Sequence, residues 1–282
     1  MGLIQRHTKD ITLDIPTSKW ERVVANVHQK QSPTDSGVTK MPPAKPPESH
    51  CSAANFIPEE PTSLQKLAAA AADCRGCHLY EHATQTVFGA GAAHARIVFV
   101  GEQPGDAEDK TGQPFVGPAG KLFDKALIAA GISREETYVT NAVKHFKYQL
   151  KGKRRLHDKP RRIEVQACLP WLLAELEQIK PDLVVCLGAT AAQALMGHNF
   201  KVTQHRGEFF PSTYAPRIMA TVHPSSILRA RDDETRHQEF ERFVEDLRQL
   251  NDAKLRSNDG VKKDAKTTRV RRIKADRDRL SS

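Results

Sequence analysis

The sequence predicts an α/β protein: a four-stranded, parallel, doubly wound sheet flanked by helices. Two observations carry this. Short apolar, β-branched runs recur between longer segments of helical periodicity, and strands interleaved with helices imply parallel pairing with both faces covered. The first such run, residues 96–100 (RIVFV), is followed at once by Gly101-Glu102-Gln103-Pro104-Gly105, a carboxylate and an amide held among glycines and a proline. In open α/β sheets, the carboxyl edge of the strands is where ligands bind.

Residues 1–31 are mixed, with one short amphipathic piece at 20–27 and no assignable role. Residues 31–61 are rich in Pro, Ser, Thr and Lys, a composition that buries too little apolar surface to offset ordering, so residues 1–61 read as an extension and linker, mostly disordered. The folded domain is expected at 62–250. Thr62-Ser63 caps a helix at 64–72. After the 96–100 strand come a helix at 120–130 closed by Gly131, a strand at 137–141 and a helix at 162–179 that stops before Pro181. A strand at 183–187, a helix at 189–196 closed by Gly197, a strand at 217–222 and an amphipathic helix at 233–250 complete it. Residues 251–282 hold eleven Lys/Arg against five Asp and read as a disordered basic tail, either solvated only or in contact with nucleic acid.

Among 282 residues, 39% are hydrophobic and 27% charged, with a formal net charge of +9. That balance fits a soluble core and favours a polyanionic partner. No apolar run reaches the ~20 residues of a membrane span, and residues 1–6 show no signal-peptide core. A cytoplasmic, reducing setting follows, in which five cysteines are ligands or free thiols and not disulfides. Cys74 and Cys77 have CxxC spacing; Cys168 falls in the long helix and Cys186 in the third strand. One tight pair plus two scattered cysteines suits a [4Fe–4S] cluster better than a zinc ribbon, although Cys168 and Cys186 also read as small buried apolar residues. Cys51 fits no set.

Other strand ends carry chemistry too. Asn141 closes the second strand and offers a donor and an acceptor to a pyrimidine edge, or a turn cap. His223 follows the fourth strand, where it can donate to an oxygen gaining negative charge or cap the next helix; Ser225, Ser226 and Arg229 beside it suit phosphate. Phe115 is a core residue or a base-stacking platform. Residues 144–162 carry nine Lys/Arg against one Asp, a loop suited to a nucleic-acid backbone. Within it His157 is either one more cation or a nucleophile.

Taken together, Cys74-x-x-Cys77, residues 84–89 (TQTVFG), Gly101–Gly105, residues 114–120 (PFVGPAG), Thr140-Asn141, Cys168, Cys186 and residues 223–229 (HPSSILR) resemble the uracil-DNA glycosylase superfamily, in particular its iron–sulfur family 4 branch. Residues 153–157 (KRRLH) and Gln103 are similar to its UdgX subgroup, with Leu156 where Ile is usual. The resemblance implies a hydrolase of DNA base-excision repair that carries a [4Fe–4S] cluster on Cys74, Cys77, Cys168 and Cys186. It implies Glu102, His157 and His223 as catalytic groups and Gly101, Gln103, Gly105, Asp106, Phe115, Asn141, Ser225 and Arg229 as substrate contacts, with Gln103 orienting His157 by a hydrogen bond. The expected partner is uracil-containing DNA, single- or double-stranded, met by a monomer without a membrane. In the subgroup the histidine captures C1′ of the deoxyribose after base loss. An ordinary multiple-turnover hydrolytic glycosylase and a non-catalytic uracil-DNA binding protein stay open as alternatives. A generic iron–sulfur nucleic-acid module is disfavoured by Glu102 and His223 standing at two strand ends.

Overall fold

The computed structural model describes residues 52–59 and 63–251; the expected amphipathic piece, Cys51, most of the linker and the basic tail lie outside them. The sheet has the order β1-β3-β2-β6-β8-β7. Its four central strands, β2 (Ile97–Gly101), β3 (Thr137–Asn141), β6 (Leu183–Leu187) and β8 (Arg217–Thr221), pair in parallel. Two-residue antiparallel strands close the edges, β1 (Ala90–Gly91) on β3 and β7 (Phe209–Phe210) on β8. These edge strands are too short to leave a sequence signal, so the sequence shows only the parallel four.

Period-two alternation divides the sheet's side chains. Ile97, Phe99, Val139, Leu183, Val185, Leu187 and Met219 face one layer, where they pack with Phe123 and Leu127 of helix α3 (Pro118–Ala129) and with Phe243, Val244 and Leu247 of helix α8 (residues 233–251). The opposite face meets helix α4 (Arg162–Ile179), onto which α1 (Leu64–Ala72) packs. There Lys144 and Glu175 form a fully buried ion pair at 2.6 Å. Glu175 also accepts from Tyr138 Oη and Thr140 Oγ1 at 2.9 Å, and Lys144 Nζ donates to the Asn141 carbonyl oxygen at 2.8 Å. The pair's remaining lone pairs and protons are therefore satisfied; removing either partner would strand a buried charge at a cost of about 3–5 kcal/mol.

Local signals place most helix ends. Ser63 Oγ accepts from Lys66 N, Pro118 takes the first position of α3, where a missing N–H does no harm, and α4 ends at Ile179 with Lys180 as its cap, one residue before Pro181. Three differences from the sequence expectation stand out. The fold begins before residue 62: Ala53–Phe56 forms a 3-10 turn with Ala53 and Ala54 buried. It fits because residue 76 is glycine, where a Cβ would lie 2.6 Å from Ala53 N; composition hid an apolar patch only a few residues long. A short helix α2 (Asp106–Thr111) follows β2. The basic 144–162 segment is a β-hairpin, β4 (Tyr148–Lys151) and β5 (Arg154–His157), turned at Gly152 with φ 63°.

The order in which the sheet is wound reverses between β2 and β6. β2 leads to β3 on one side through α3, and β6 leads to β8 on the other through α5 (Ala189–Met196) and the short α6 (Val202–His205). The crevice between the carboxyl ends of β2 and β6 is thus the topological switch point.

Candidate active site

Gly101 ends β2 and pairs with Asn141 at the end of β3. A Cβ on residue 101 would lie 2.3 Å from Asn141 Oδ1 and 2.7 Å from Phe115 Cζ, so the missing side chain lets the amide and the ring close over the strand end. Phe115 is buried with φ 59°, in the left-handed region. That conformation costs about 1–3 kcal/mol in a non-glycine residue. Helix α3 holds it there, since a Cβ at Gly120 would come within 1.8 Å of Phe115 O. The Phe115 ring lies 6.1 Å from the His223 imidazole at a 32° tilt. Buried Glu108 staples the intervening loop: its two carboxylate oxygens accept from Gly105 N at 3.0 Å and Gly117 N at 2.7 Å.

Glu102 stands beside that shelf. His157 Nε2 lies 3.4 Å from Glu102 Oε1, and the hydroxyl of Thr190, near the start of α5, donates to Oε2. The hairpin bearing His157 is tied down by Arg155. Its guanidinium donates to Asp106 Oδ1 and Asp109 Oδ2, both at 2.6 Å, and lies over the Phe146 and Tyr148 rings at 5.5 and 5.1 Å. Arg155 and His157 alternate onto the same face of β5, so anchoring the first turns the second inward. The His157 side chain still keeps 49% exposure, open to a large ligand.

One expected hydrogen bond is replaced here. Gln103 makes no hydrogen bond to the His157 ring. Its Nε2 donates to Lys147 O and Asp158 O at 3.0 Å, and its Oε1 accepts from Lys147 N at 3.2 Å, so it clasps the base of the hairpin and positions His157 through the backbone. Asp106, expected to touch substrate, also pairs with Arg155 at 2.6 Å and with Lys110 at 2.5 Å.

His223 precedes helix α7 (Pro224–Leu228). The Ser225 N–H donates to its Nδ1 at 3.1 Å, and Ser225 Oγ lies 2.7 Å from the same nitrogen. An N–H can only donate, so Nδ1 is the acceptor and the ring proton is assigned to Nε2. Burial pushes His223 down to about 4, helped by nearby Arg229 and His157; at neutral pH it is an uncharged donor. Ser225, expected at phosphate, also meets the His223 ring, and Arg229 is exposed beside it.

All four described cysteines are buried thiols, not joined in disulfides. Cys74, Cys77 and Cys168 form one electrostatic group, with burial and the neighbouring Cys77 and Cys74 raising the Cys168 thiol. Trp171 Nε1 donates to Cys74 Sγ and Lys144 N to Cys168 Sγ, each at 3.2 Å. Three donors therefore suit an iron–sulfur group in kind. Cys186, between Val185 and Leu187 on β6, alternates onto the opposite face of the sheet from them, and burial raises its thiol. Among the described residues, no group of three or more His, Cys, Asp or Glu is gathered closely enough to hold a metal ion. The expected four-sulfur set is thus not brought together.

Sequence reasoning missed Thr190, Glu108 and Asp109 and assigned Arg155 no role. Opposite charges in 106–109 and 153–155 were the available signal, but nothing local says that they meet across 46 residues.

The profile of the Uracil DNA glycosylase superfamily matches residues 88–248. Similar proteins include type-4 uracil-DNA glycosylases of Thermotoga maritima, 41% identical over 58% of this chain and 82% of the relative, and of Archaeoglobus fulgidus, 35% identical over 59% and 83%. The type-4 enzyme of Pyrobaculum aerophilum is 34% identical over 59% and 85%. An acid, a neutral histidine and a buried aromatic ring thus stand together at the switch point of an α/β sheet. The chain belongs to the uracil-DNA glycosylase superfamily. Among the described residues, no helix is long and apolar enough to cross a membrane.

Proposed function

We propose that this protein is a uracil-DNA glycosylase of the UdgX type, which breaks the N-glycosidic bond of deoxyuridine in DNA and keeps the sugar through His157. The observation that carries the reading is His157 Nε2 at 3.4 Å from Glu102 Oε1, on a hairpin anchored at the same strand edge as His223. Uracil leaves the base stack, least expensively from single strands or mismatches, and enters between Phe115 and Asn141. The Asn141 amide reads the pyrimidine edge, and cytosine, with a donor where uracil has an acceptor, leaves it mispaired. As the C1′–N1 bond breaks, its electron pair passes to uracil, whose O2 accepts from His223 Nε2–H. Glu102 stabilises the oxocarbenium-like sugar. The imidazole gives its Nε2 proton to Glu102 Oε1, and the freed lone pair forms the Nε2–C1′ bond; the proton then leaves to solvent or to the uracil anion. Lys151, Lys153 and Arg154, all exposed on the hairpin, take the phosphate backbone.

The expected result is a protein–DNA adduct that survives denaturing electrophoresis, formed only with uracil-containing DNA and once per chain. Repeated turnover without an adduct would instead establish a hydrolytic glycosylase, the reading favoured by the names of the type-4 relatives. Salt-sensitive binding without base release would establish a non-catalytic binder.

Gly101→Ala is expected to weaken binding of uracil-containing DNA about 10-fold or more, because the added methyl drives Asn141 from Phe115. Fluorescence anisotropy against uracil-free DNA reads this, and equal affinities for both DNAs in the wild type would refute the pocket assignment.

The family resemblance implies a [4Fe–4S] cluster, and Cys74, Cys77, Cys168 and Cys186, which this structure does not gather into one group, are the residues that would hold it. It would serve as a structural cross-link, and no step of the reaction above uses it. Purified protein is expected to absorb at about 400 nm and to carry about four iron atoms per chain; stoichiometric zinc without iron would overturn this.

A further inference from the structure

We propose that the turn from β6 into α5, Gly188-Ala189-Thr190, is a third wall of the active site, and that Thr190 is the positioning residue that presents one chosen oxygen of Glu102 to His157 and the sugar. This rests on the reaction proposed above. Thr190 is buried and donates its hydroxyl to Glu102 Oε2, while His157 Nε2 lies 3.4 Å from Oε1. The two contacts of this carboxylate therefore use different oxygens. The terminal torsion of a glutamate is broad and roughly two-fold, so an unheld carboxylate swings between orientations. A donor on Oε2 removes that freedom and leaves Oε1 as the acceptor for the imidazole proton. The hydroxyl also hydrogen-bonds the ionised form of Glu102, the form needed against a cationic sugar.

Topology explains why this residue is available. Glu102 leaves β2 and Thr190 follows β6, adjacent parallel strands whose connections depart in opposite directions. Their hydrogen bond spans the switch-point crevice. The same turn also sets His223. Gly188 has φ 91°, and a Cβ there would lie 3.0 Å from His223 Cβ. Its N–H donates to Thr221 O at 2.8 Å, two residues before His223. One three-residue turn thus touches the acid on one side and the anion-stabilising histidine on the other, and fixes the distance between the groups that serve the sugar and the base.

The test compares Thr190→Val, which keeps shape and loses the hydroxyl, with Thr190→Ser, which keeps the hydroxyl. Single-turnover assays on a uracil-containing oligonucleotide read uracil release and adduct separately. Thr190→Val is expected to slow adduct formation about 10- to 100-fold, the scale of a lost hydrogen bond to a charged group, and to raise the fraction ending as a free abasic site. Thr190→Ser is expected to restore both to within about 3-fold. A Val variant with wild-type rate and partition would overturn the proposal, as would a Ser variant as impaired as Val, since the defect would then be packing. Should the wild type release uracil without any adduct, the covalent reading fails on its own. Thr190 is then judged by uracil release: a 10-fold or larger loss in Val that Ser rescues sustains its role, and an unchanged rate removes it.

Discussion

His157→Ser is expected to abolish the denaturation-resistant adduct while uracil release continues and yields an abasic site. The side chain is half exposed, and the hairpin is held by Arg155 and by the Gln103 clasp, not by the imidazole. Removing the ring should therefore leave the fold and the Glu102–Thr190 pair in place. A serine hydroxyl is shorter and a weaker nucleophile, so water fills the space and takes C1′. In the proposed reaction the wild-type ring would prevail because it is tethered beside the sugar; well-oriented intramolecular groups reach effective molarities of about 10⁵–10⁸ M, far above water itself. A denaturing gel on labelled uracil-DNA, with alkaline cleavage to reveal abasic sites, reads both products. Adduct formation by the Ser variant at the wild-type rate would remove His157 from the role of nucleophile.

His223→Ala is expected to slow uracil release by about 10²–10³-fold, the usual loss on removing one preorganised donor to a developing oxyanion. The Ser225 N–H fixes the tautomer, so the donor is aimed before substrate arrives. Because this imidazole ionises only at about 4, its donor form persists across the neutral range, and uracil release should not respond to His223 titration between about pH 8 and 5. Stability carries the opposite sensitivity. His145, buried and 2.9 Å from Thr86 Oγ1, is also pushed down to about 4, chiefly by burial. A histidine whose folded pKa is depressed stabilises the fold fully above its unfolded value, about 6.5, and that contribution is lost as pH falls toward 4. Melting temperatures should therefore drop from pH 7 to pH 5. In His223→Ala the drop should be smaller, and an equal drop would show that His223 does not contribute to it.

Much of the scaffold was legible because its causes are local. The β-branched runs at 137–141 and 183–187 are strands at those bounds, and helices 64–72, 162–179 and 189–196 begin and end where Ser63, Pro181 and Gly197 predict. The positions at strand ends were legible for the same reason: Glu102, Asn141 and His223 each follow a run that must be a strand. The hairpin was not, because its alternation is masked by nine cations in one stretch. Nor was the 3-10 turn at Ala53–Phe56, whose burial depends on a glycine 20 or more residues away.

By itself the sequence determined the layer order's raw material: which segments are strands or helices, and which chemical groups sit at the carboxyl edge. Tertiary structure alone decided which of those groups meet. It set Gln103 and Arg155 as anchors of the His157 hairpin, with Asp106 beneath the second, put Ser225 against His223 and set Thr190 on Glu102. The physical reason is that periodicity and capping act over a few residues. A hydrogen bond across the switch point depends instead on strand register and crossover direction, and these are settled only when the whole core packs.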